Sequence, residues 1–172
     1  LKIWINEMKI LKLINTVKYL KFIQIYYRLY YLLLKPSVKQ TVFKTQLRSA
    51  AQNWENAIAK PMSMLSPTQL LFLNYLGQLN TAEDWNTNQQ EKLWLYNLHY
   101  FDDLNAQQAE MRQTWHYELI NRWIVENPYA AGNAWEAYPN SLRIVNWVKW
   151  ALQGNAFNEI QLQSLMLQAE HL

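Results

Sequence analysis

The chain of 172 residues contains no cysteine, only three glycines and five prolines, and only three histidines. Without cysteine it can form neither disulfides nor thiolate metal sites, and three scattered histidines do not make a metal site either. We therefore expect no metal and no cofactor. The scarcity of glycine and proline leaves few turn signals, which favours long helices joined by short connections.

Aromatic residues are abundant instead, with nine tryptophans and eleven tyrosines. Rings at this density fill the seams between helices, and they also form the platforms on which sugars and bases stack. Packing accounts for most of them. The sequence therefore raises the question of which rings, if any, line a binding site.

Charge is divided unevenly along the chain. Residues 1–48 carry ten Lys and Arg against the single Glu7, whereas residues 49–172 carry six against twelve acids, so the two parts have net charges of +9 and −6. A basic leading segment suits either a solvated helix face or an anionic surface. Because the ring-rich part is acidic, we expect no nucleic-acid binding.

The apolar N-terminal stretch is interrupted by Lys12, Lys18, Lys21 and Arg28. No window of about twenty residues is free of charge, so we do not expect a transmembrane protein. No secretory signal peptide is visible, and a leader that precedes Leu1 stays an open alternative.

Periodicity and turn signals predict about seven helices and no convincing strand, which is an all-α fold. A basic amphipathic leading helix, from about Met8 to Leu34 and ended by Lys35-Pro36, should be mostly buried, and we assign residues 1–40 to it. Residues 41–172 then form helix hairpins. The helices predicted there cover 41–59, a stretch that begins at Ser66-Pro67, 90–104, 107–126, Asn140 or Ser141 to Leu152, and Asn158 to Leu172.

The first candidate site is the stretch LWLYNLHYFDDL at 93–104. On a helix, Tyr96, His99, Tyr100 and Asp103 share one face, and Asn97 lies on an adjoining face. Their phenol, imidazole and amide groups can bond sugar hydroxyls or a carboxylate. The alternative is a Tyr–His–Asp hydrogen-bond network that locks one helix to another.

The second candidate site is WEAYPNSLRIVNWVKW at 135–150. Arg143 shares a helix face with Asn146, Trp147 and Trp150, while Ile144, Val148, Ala151 and Leu152 make the predicted core face. A guanidinium beside indole rings, next to a loop with Trp135, Glu136 and Tyr138, could hold an anionic sugar. The alternative is that Arg143 stacks on Trp147 as an internal brace.

These motifs, together with LLFLN at 70–74, DW at 84–85 and RWIVENP at 122–128, resemble the N-terminal domain of heparinase II/III-type polysaccharide lyases. The resemblance covers roughly Asn15 to Leu152, and YNLHYFD and SLRIVNW are its most specific segments. It implies an incomplete (α/α) toroid that packs against a β-sandwich domain. It also implies β-elimination on a uronate-containing, heparin- or heparan-sulfate-like polysaccharide. The family commonly works in the periplasm, and the cytoplasm is the alternative.

No catalytic residue of that family can be carried onto this chain, because the family's Asn-His segment and its later Tyr and His follow the QAEHL-like region, where this chain ends. We therefore expect a portion of a larger lyase, whose partners are an acidic polysaccharide and the C-terminal part of the same enzyme. The resemblance implies a substrate-binding wall made of Tyr96, Asn97, His99, Tyr100, Trp135, Glu136, Tyr138, Arg143, Asn146 and Trp147.

Two other functions fit the same sequence. One is a non-catalytic helical protein that binds carbohydrate or is associated with envelope polysaccharide. The other is a purely structural helical interaction module.

Overall fold

The structure is a computed structural model that describes residues 15–34 and 58–172. The chain divides into two compact units, Leu1–Lys39 and Gln40–Leu172. Most of the described regular structure is helical, and the described residues contain a single two-stranded sheet. The predicted helical class is therefore confirmed at this level. The helix predicted over 41–59 lies outside the described residues, apart from Ile58 and Ala59, which are not helical.

The described part of the first unit is a helical turn at residues 15–18 followed by helix α1, Phe22–Leu34. The prediction of one unbroken helix is wrong here. The backbone amide of Lys21 donates to Oε1 of Gln24 at 2.8 Å, so α1 starts with its own cap.

The expected burial of this helix is also wrong, since Phe22 is 83% exposed and Leu33 is 76% exposed. Gln24 and Arg28 form a narrow polar stripe on α1, and many of the apolar side chains outside that stripe are exposed. Among the described residues, no helix is long and apolar enough to cross a lipid bilayer.

The described part of the second unit begins at Ile58 and contains an antiparallel hairpin of β1, Gln69–Phe72, and β2, Tyr75–Gln78. A helix was predicted from Ser66-Pro67, and that prediction is wrong. The Ser66 hydroxyl accepts hydrogen bonds from the amides of Thr68 and Gln69, which makes a turn. Leu70 and Phe72 are buried while Leu71 between them is exposed, which is the period of a strand.

Gly77 explains how the hairpin docks on the helices. A Cβ atom at this position would lie 2.1 Å from the indole of Trp94. The indole therefore packs directly on the strand backbone, and its Nε1 donates to the carbonyl of Tyr75 at 3.0 Å. This contact fixes the hairpin against the first helix that follows it.

Four helices follow the hairpin: α2 is Lys92–Tyr100, α3 is Gln113–Glu126, α4 is Ala137–Leu152 and α5 is Glu159–His171. Short 3₁₀ segments lie between them, at Ala82–Asn86, Asp102–Asn105, Ala109–Arg112 and Asn133–Trp135. Helix α4 starts three residues before Asn140, because Pro139 fits the first turn of a helix.

Helix α5 begins as predicted. The Asn158 side chain accepts from the amide of Gln161 at 2.9 Å, and the Gln161 side chain accepts from the amide of Asn158 at 3.0 Å.

The core of this unit is built from indole rings. Six tryptophans are buried where α2, α3, α4 and the hairpin meet: Trp85, Trp94, Trp123, Trp135, Trp147 and Trp150. Helix α4 turns its Arg, Asn and Trp positions inward, whereas Val148 and Leu152, which were predicted to form the core face, are exposed. The prediction had the two faces of α4 reversed, because two large indoles bury more apolar area than the aliphatic residues opposite them.

Candidate functional site

The ten residues predicted to form a binding wall lie where α2 packs against α4 and the 3₁₀ turn before it. Helix α2 ends at Tyr100, and the next residue, Phe101, has a φ of 60° that turns the chain away from the helix axis. Asp103 therefore does not continue the face of Tyr96 and His99, as the helical pattern had predicted. The structure divides the ten residues into an interior set and a surface set.

Arg143 belongs to the interior set and has no exposed surface. Its Nε donates to Oε1 of Gln168 at 2.7 Å, one terminal nitrogen donates to the carbonyl of Ala134 at 2.8 Å, and the other donates to Oδ1 of Asn140 at 2.7 Å. The guanidinium carbon also lies 3.8 Å from the centre of the Trp123 ring. Arg143 is therefore an internal brace, as in the alternative interpretation of the sequence, but it stacks on Trp123 and not on Trp147.

His99 is also in the interior set. Its Nδ1 accepts from Nε1 of Trp123 at 3.2 Å, so Nε2 carries the proton and donates to the carbonyl of Trp85 at 3.1 Å. Burial, and then the charge of Arg143, lower the pKa of His99 from 6.5 to about 3. The imidazole is therefore neutral at physiological pH and holds loop and helices together.

Asn146, Trp147 and Trp135 complete the interior set. The Asn146 amide donates to the carbonyl of Tyr100 at 2.8 Å and to Oδ1 of Asp102 at 2.7 Å. The Trp135 indole donates to the carbonyl of Asn127 at 3.3 Å. All three side chains connect α4 or its preceding turn to other parts of the core.

The surface set consists of Tyr96, Asn97, Glu136 and Tyr138, together with Tyr100, which is buried against Tyr138, and the structure adds Lys92, which the sequence pattern did not identify. We call these six residues the tyrosine surface. Tyr138 is 60% exposed and contacts the ring of Tyr100 edge to face, with centroids 5.7 Å apart. Tyr96 lies beside Tyr138, with a centroid distance of 6.4 Å.

Polar contacts organise the tyrosine surface around Glu136. The Tyr96 hydroxyl donates to one oxygen of Glu136, and Nζ of Lys92 lies 2.8 Å from the other. The same ammonium lies 5.2 Å from the centre of the Tyr96 ring. The side-chain nitrogen of Asn97 donates to the carbonyl of Leu93 at 2.7 Å, and its side-chain oxygen takes no part in this bond.

The ionisation of the tyrosine surface follows from these contacts. Burial alone would raise the pKa of Glu136, but hydrogen bonds from Lys92 and Tyr96 outweigh it and lower that pKa. Burial, and then the bond to Glu136, raise the pKa of Tyr96. Burial also raises the pKa of Tyr100 to about 12. The surface therefore presents protonated phenols beside an ammonium–carboxylate pair at neutral pH.

Two of the residues that the sequence pattern did not identify, Lys92 and Asn140, could have been found from helical spacing. Lys92 precedes Tyr96 by four positions on α2, and Asn140 precedes Arg143 by three on α4, so both pairs are neighbours by helical spacing. Trp123 and Gln168 carry no such signal, because they reach Arg143 from other helices.

A second buried cluster surrounds Asp103. One carboxylate oxygen accepts from the amides of Ser63 and Met64 at 2.7 and 3.0 Å, and the other accepts from Arg112 and His116, both at 2.8 Å. Burial would raise the pKa of Asp103, but these donors hold it well below its usual range. The alternative Tyr–His–Asp network would pair Asp103 with His99. Asp103 instead bonds His116, and His99 bonds Trp123 and Trp85.

The described residues contain no group of three or more His, Asp or Glu side chains that could hold a metal ion. Comparison with protein-family models, with curated proteins and with solved structures gave no match.

Proposed function

We propose that this chain forms one wall of a groove that holds a uronate-containing acidic polysaccharide, as the N-terminal part of a periplasmic lyase that cleaves its substrate by β-elimination. The proposal includes the incomplete (α/α) toroid that the sequence resemblance implies. The observation that carries it is the tyrosine surface, where the phenols of Tyr96 and Tyr138 lie beside the Lys92–Glu136 pair at the start of α4.

The rings and hydroxyls of this surface suit a sugar chain. The exposed ring of Tyr138 offers an apolar face to the C–H side of a pyranose, while phenol and amide groups both donate and accept hydrogen bonds. Tyr100 supports Tyr138 from below through their edge-to-face contact. The platform is therefore held in place before a ligand arrives, which lowers the cost of ordering it on binding.

Lys92 supplies the positive charge that an acidic sugar requires. Arg143 cannot do so in this structure, because its guanidinium is enclosed by protein acceptors. Lys92 is largely exposed and paired with Glu136 at the surface. A uronate carboxylate would compete with Glu136 for this ammonium, so the pair adjusts how strongly the wall attracts an anion.

The proposed role of this wall is to bind and orient the polymer. In the lyases that the sequence resembles, carboxylate neutralisation and proton transfer are performed by residues that have no counterpart among the motifs of this chain. The side chains of the tyrosine surface hold a sugar beside that machinery, and the rigid contacts beneath them fix its position.

The test is binding of heparin and alginate to the purified chain and to single variants. Lys92→Ala should weaken binding about threefold to tenfold, as expected for loss of one exposed charge contact, and Tyr138→Ala should weaken it as well. Glu136→Gln should strengthen binding, because it releases Lys92. Lys149→Ala, which removes a lysine from α4 outside this surface, is the matched control. Equal effects of Lys92→Ala and Lys149→Ala would reject the proposal.

A non-catalytic carbohydrate-binding protein is the second candidate. It is favoured by the full burial and the low pKa of His99, which keep it from a substrate and make it a weak base, and by the raised pKa of Tyr96, which keeps that phenol protonated at neutral pH. Both candidates predict the same binding results. Neither candidate predicts cleavage by this chain, so they are separated by assaying the full-length protein for unsaturated uronate products, which only a lyase releases.

A further inference from the structure

A cleft of about 500 Å³ opens at the other end of α4, between the 3₁₀ segments that follow α2 and the loop that follows α4. Its volume lies within the range of small-ligand pockets, roughly 300–1,000 Å³. None of the residues of the tyrosine surface lines it. It is therefore a separate feature of the second unit.

Carboxamides dominate the lining of this cleft. Six of its side chains carry an amide group: Asn105, Gln107, Gln108, Gln113, Gln153 and Asn155. We call it the amide cleft. A carboxamide both donates and accepts hydrogen bonds, which is what a sugar hydroxyl also does. Among the described lining residues, Glu110 is the one charged side chain, and none of them is a cation that could attract a uronate or a phosphate.

The backbone around the amide cleft is held firmly. Nε of Arg112 is bound to Asp103, and its two terminal nitrogens donate to the carbonyls of Gln107 and Gln108 at 3.1 and 3.2 Å. On the opposite side, the Asn155 side chain accepts from Gln113 and donates to the carbonyl of Trp150. The walls are therefore fixed by contacts that leave several amide groups unused.

The unused groups point to a ligand. The side chains of Gln107, Gln108 and Gln153 are exposed and make no hydrogen bond to protein within the described part of the chain, so their amides are available to a ligand. Asn105 is more than nine-tenths buried, and its Oδ1 atom has no partner there. Buried polar atoms are nearly always satisfied, so this orphaned oxygen marks a loosely paired polar position behind the lining of the cleft.

We propose that the amide cleft binds a neutral, hydroxyl-rich ligand, of the class of a neutral mono- or disaccharide. Several amides can bond successive hydroxyls, and the one negative charge disfavours acidic sugars. The proposal does not depend on the function proposed for the tyrosine surface, because the two sites share no residue.

The test is a titration of the full chain with maltose and with N,N′-diacetylchitobiose, two neutral disaccharides, followed by calorimetry and by NMR of the side-chain amides. At least one of them should bind saturably and shift the amide signals of Gln107 and Gln153. The double variant Gln107→Ala/Gln153→Ala should weaken that binding at least fivefold. Both residues are exposed, so the variant should keep its helical circular dichroism.

Asn88→Ala, which removes an exposed amide outside the cleft, is the matched control and should bind as the original chain does. Methyl glucuronide should not shift the signals of Gln107 and Gln153. The proposal is overturned if neither disaccharide binds, if the double variant binds as the control does, or if the glucuronide occupies the cleft equally well. Failure here leaves the Lys92 and Tyr138 experiments unaffected, since they report on the other site.

Discussion

Arg143 is a buried cation whose hydrogen-bond partners in the described structure are neutral. Its acceptors are the side chains of Asn140 and Gln168 and two backbone carbonyls, and the face of Trp123 covers its guanidinium. Burial lowers the pKa of Arg143. Planar guanidinium geometry matters here, because each nitrogen reaches a different helix or turn.

Arg143→Ala should therefore destabilise the protein by about 3 kcal/mol or more. The substitution removes the brace, leaves a cavity and orphans the buried oxygens of Asn140, Gln168 and Ala134. Arg143→Lys should recover only part of the loss, since an ammonium cannot reproduce the three-way fork. Chemical denaturation measures both values.

Val145→Ala is the control for these variants, because it truncates an exposed side chain on the same helix. It should change the free energy of unfolding by about 0.5 kcal/mol or less. If Arg143→Ala unfolds at the same denaturant concentration as Val145→Ala, the brace assignment is wrong.

His99 makes stability depend on pH. The folded state holds its pKa near 3, whereas the unfolded chain protonates it near 6.5. The unfolded state thus binds the extra proton as the pH falls below 6.5. This contribution to stability is complete above pH 6.5 and declines by up to about 1.4 kcal/mol per pH unit between pH 6.5 and 3.

The measurement is the difference in unfolding free energy between pH 7 and pH 5, for the original chain and for His99→Gln. The variant cannot titrate at this position, so its pH dependence should be clearly shallower. Asn97→Ala, on the same helix but without contact to His99, should keep the original slope. Equal slopes in the original chain and His99→Gln would contradict a neutral buried imidazole.

The hairpin is the element at which the sequence pattern predicted the wrong secondary structure, a helix from Ser66-Pro67. Ser66-Pro67 is a good helix start, and the following leucines fit a helix as well as a strand. The deciding features are Asn74 in the turn and Gly77 under the Trp94 indole. The second of these depends on a contact with a residue on α2, so the sequence of the hairpin alone could not reveal it.

Leu73 is the weak point of this hairpin. Leu73 has a φ of 55° and Asn74 a φ of 64°, which is the geometry of a two-residue type I′ turn. A leucine is strained in this region, whereas asparagine tolerates it. Leu73→Asn should therefore stabilise the protein by about 0.5–1 kcal/mol, as seen in a higher thermal midpoint.

Leu71→Asn serves as the comparison, because it places the same residue at another exposed position of the hairpin, within a strand. It should bring no gain, since asparagine is disfavoured in strands. A gain from both substitutions would show that the effect comes from polarity and not from the turn.

The helices were predicted more closely than the faces they bury. The end of α3 and the start of α5 were located correctly, because Asn127-Pro128 and Asn158 mark them, whereas α3 begins six residues later than predicted and α2 ends four residues earlier. The four-residue spacing also placed Arg143 and Trp147 on one face correctly. That this face is buried depends on Trp123 and Gln168, which approach from elsewhere in the chain.

At the scale of the second unit, side-chain hydrogen bonds join segments that are far apart in the sequence. Asp103 connects the segment at Ser63 and Met64 to Arg112 and to His116 on α3, and Arg122 of α3 reaches the carbonyl of Leu79 at 2.7 Å. About forty residues separate the ends of several such bonds. A pattern confined to one helix cannot predict such bonds. For this reason the sequence placed all ten residues in one binding wall, whereas the structure buries half of them in the interior.

These arrangements also bear on catalysis. Eliminating a sugar chain at a uronate requires a base matched to neutral pH and a group that neutralises the carboxylate. His99 and His116 are fully buried, the pKa of Tyr96 is raised, and that of Tyr100 is near 12. In the described part of the chain, Lys92 could attract a uronate, but none of these four groups is poised to take its proton.

We therefore expect the purified chain to bind acidic polysaccharide without cleaving it. The assay is the ultraviolet absorbance of unsaturated uronate products after incubation with heparin, heparan sulfate and alginate. A chain that carries the wall but not the chemistry should give no product while still showing the effect of Lys92→Ala on binding. Product formation that persists in the pure chain and disappears in His99→Gln would overturn this expectation, because it would require an imidazole that the substrate can reach where the structure has a fully buried one. Product formation that survives His99→Gln but is lost in Tyr138→Phe would instead assign the proton transfer to the tyrosine surface.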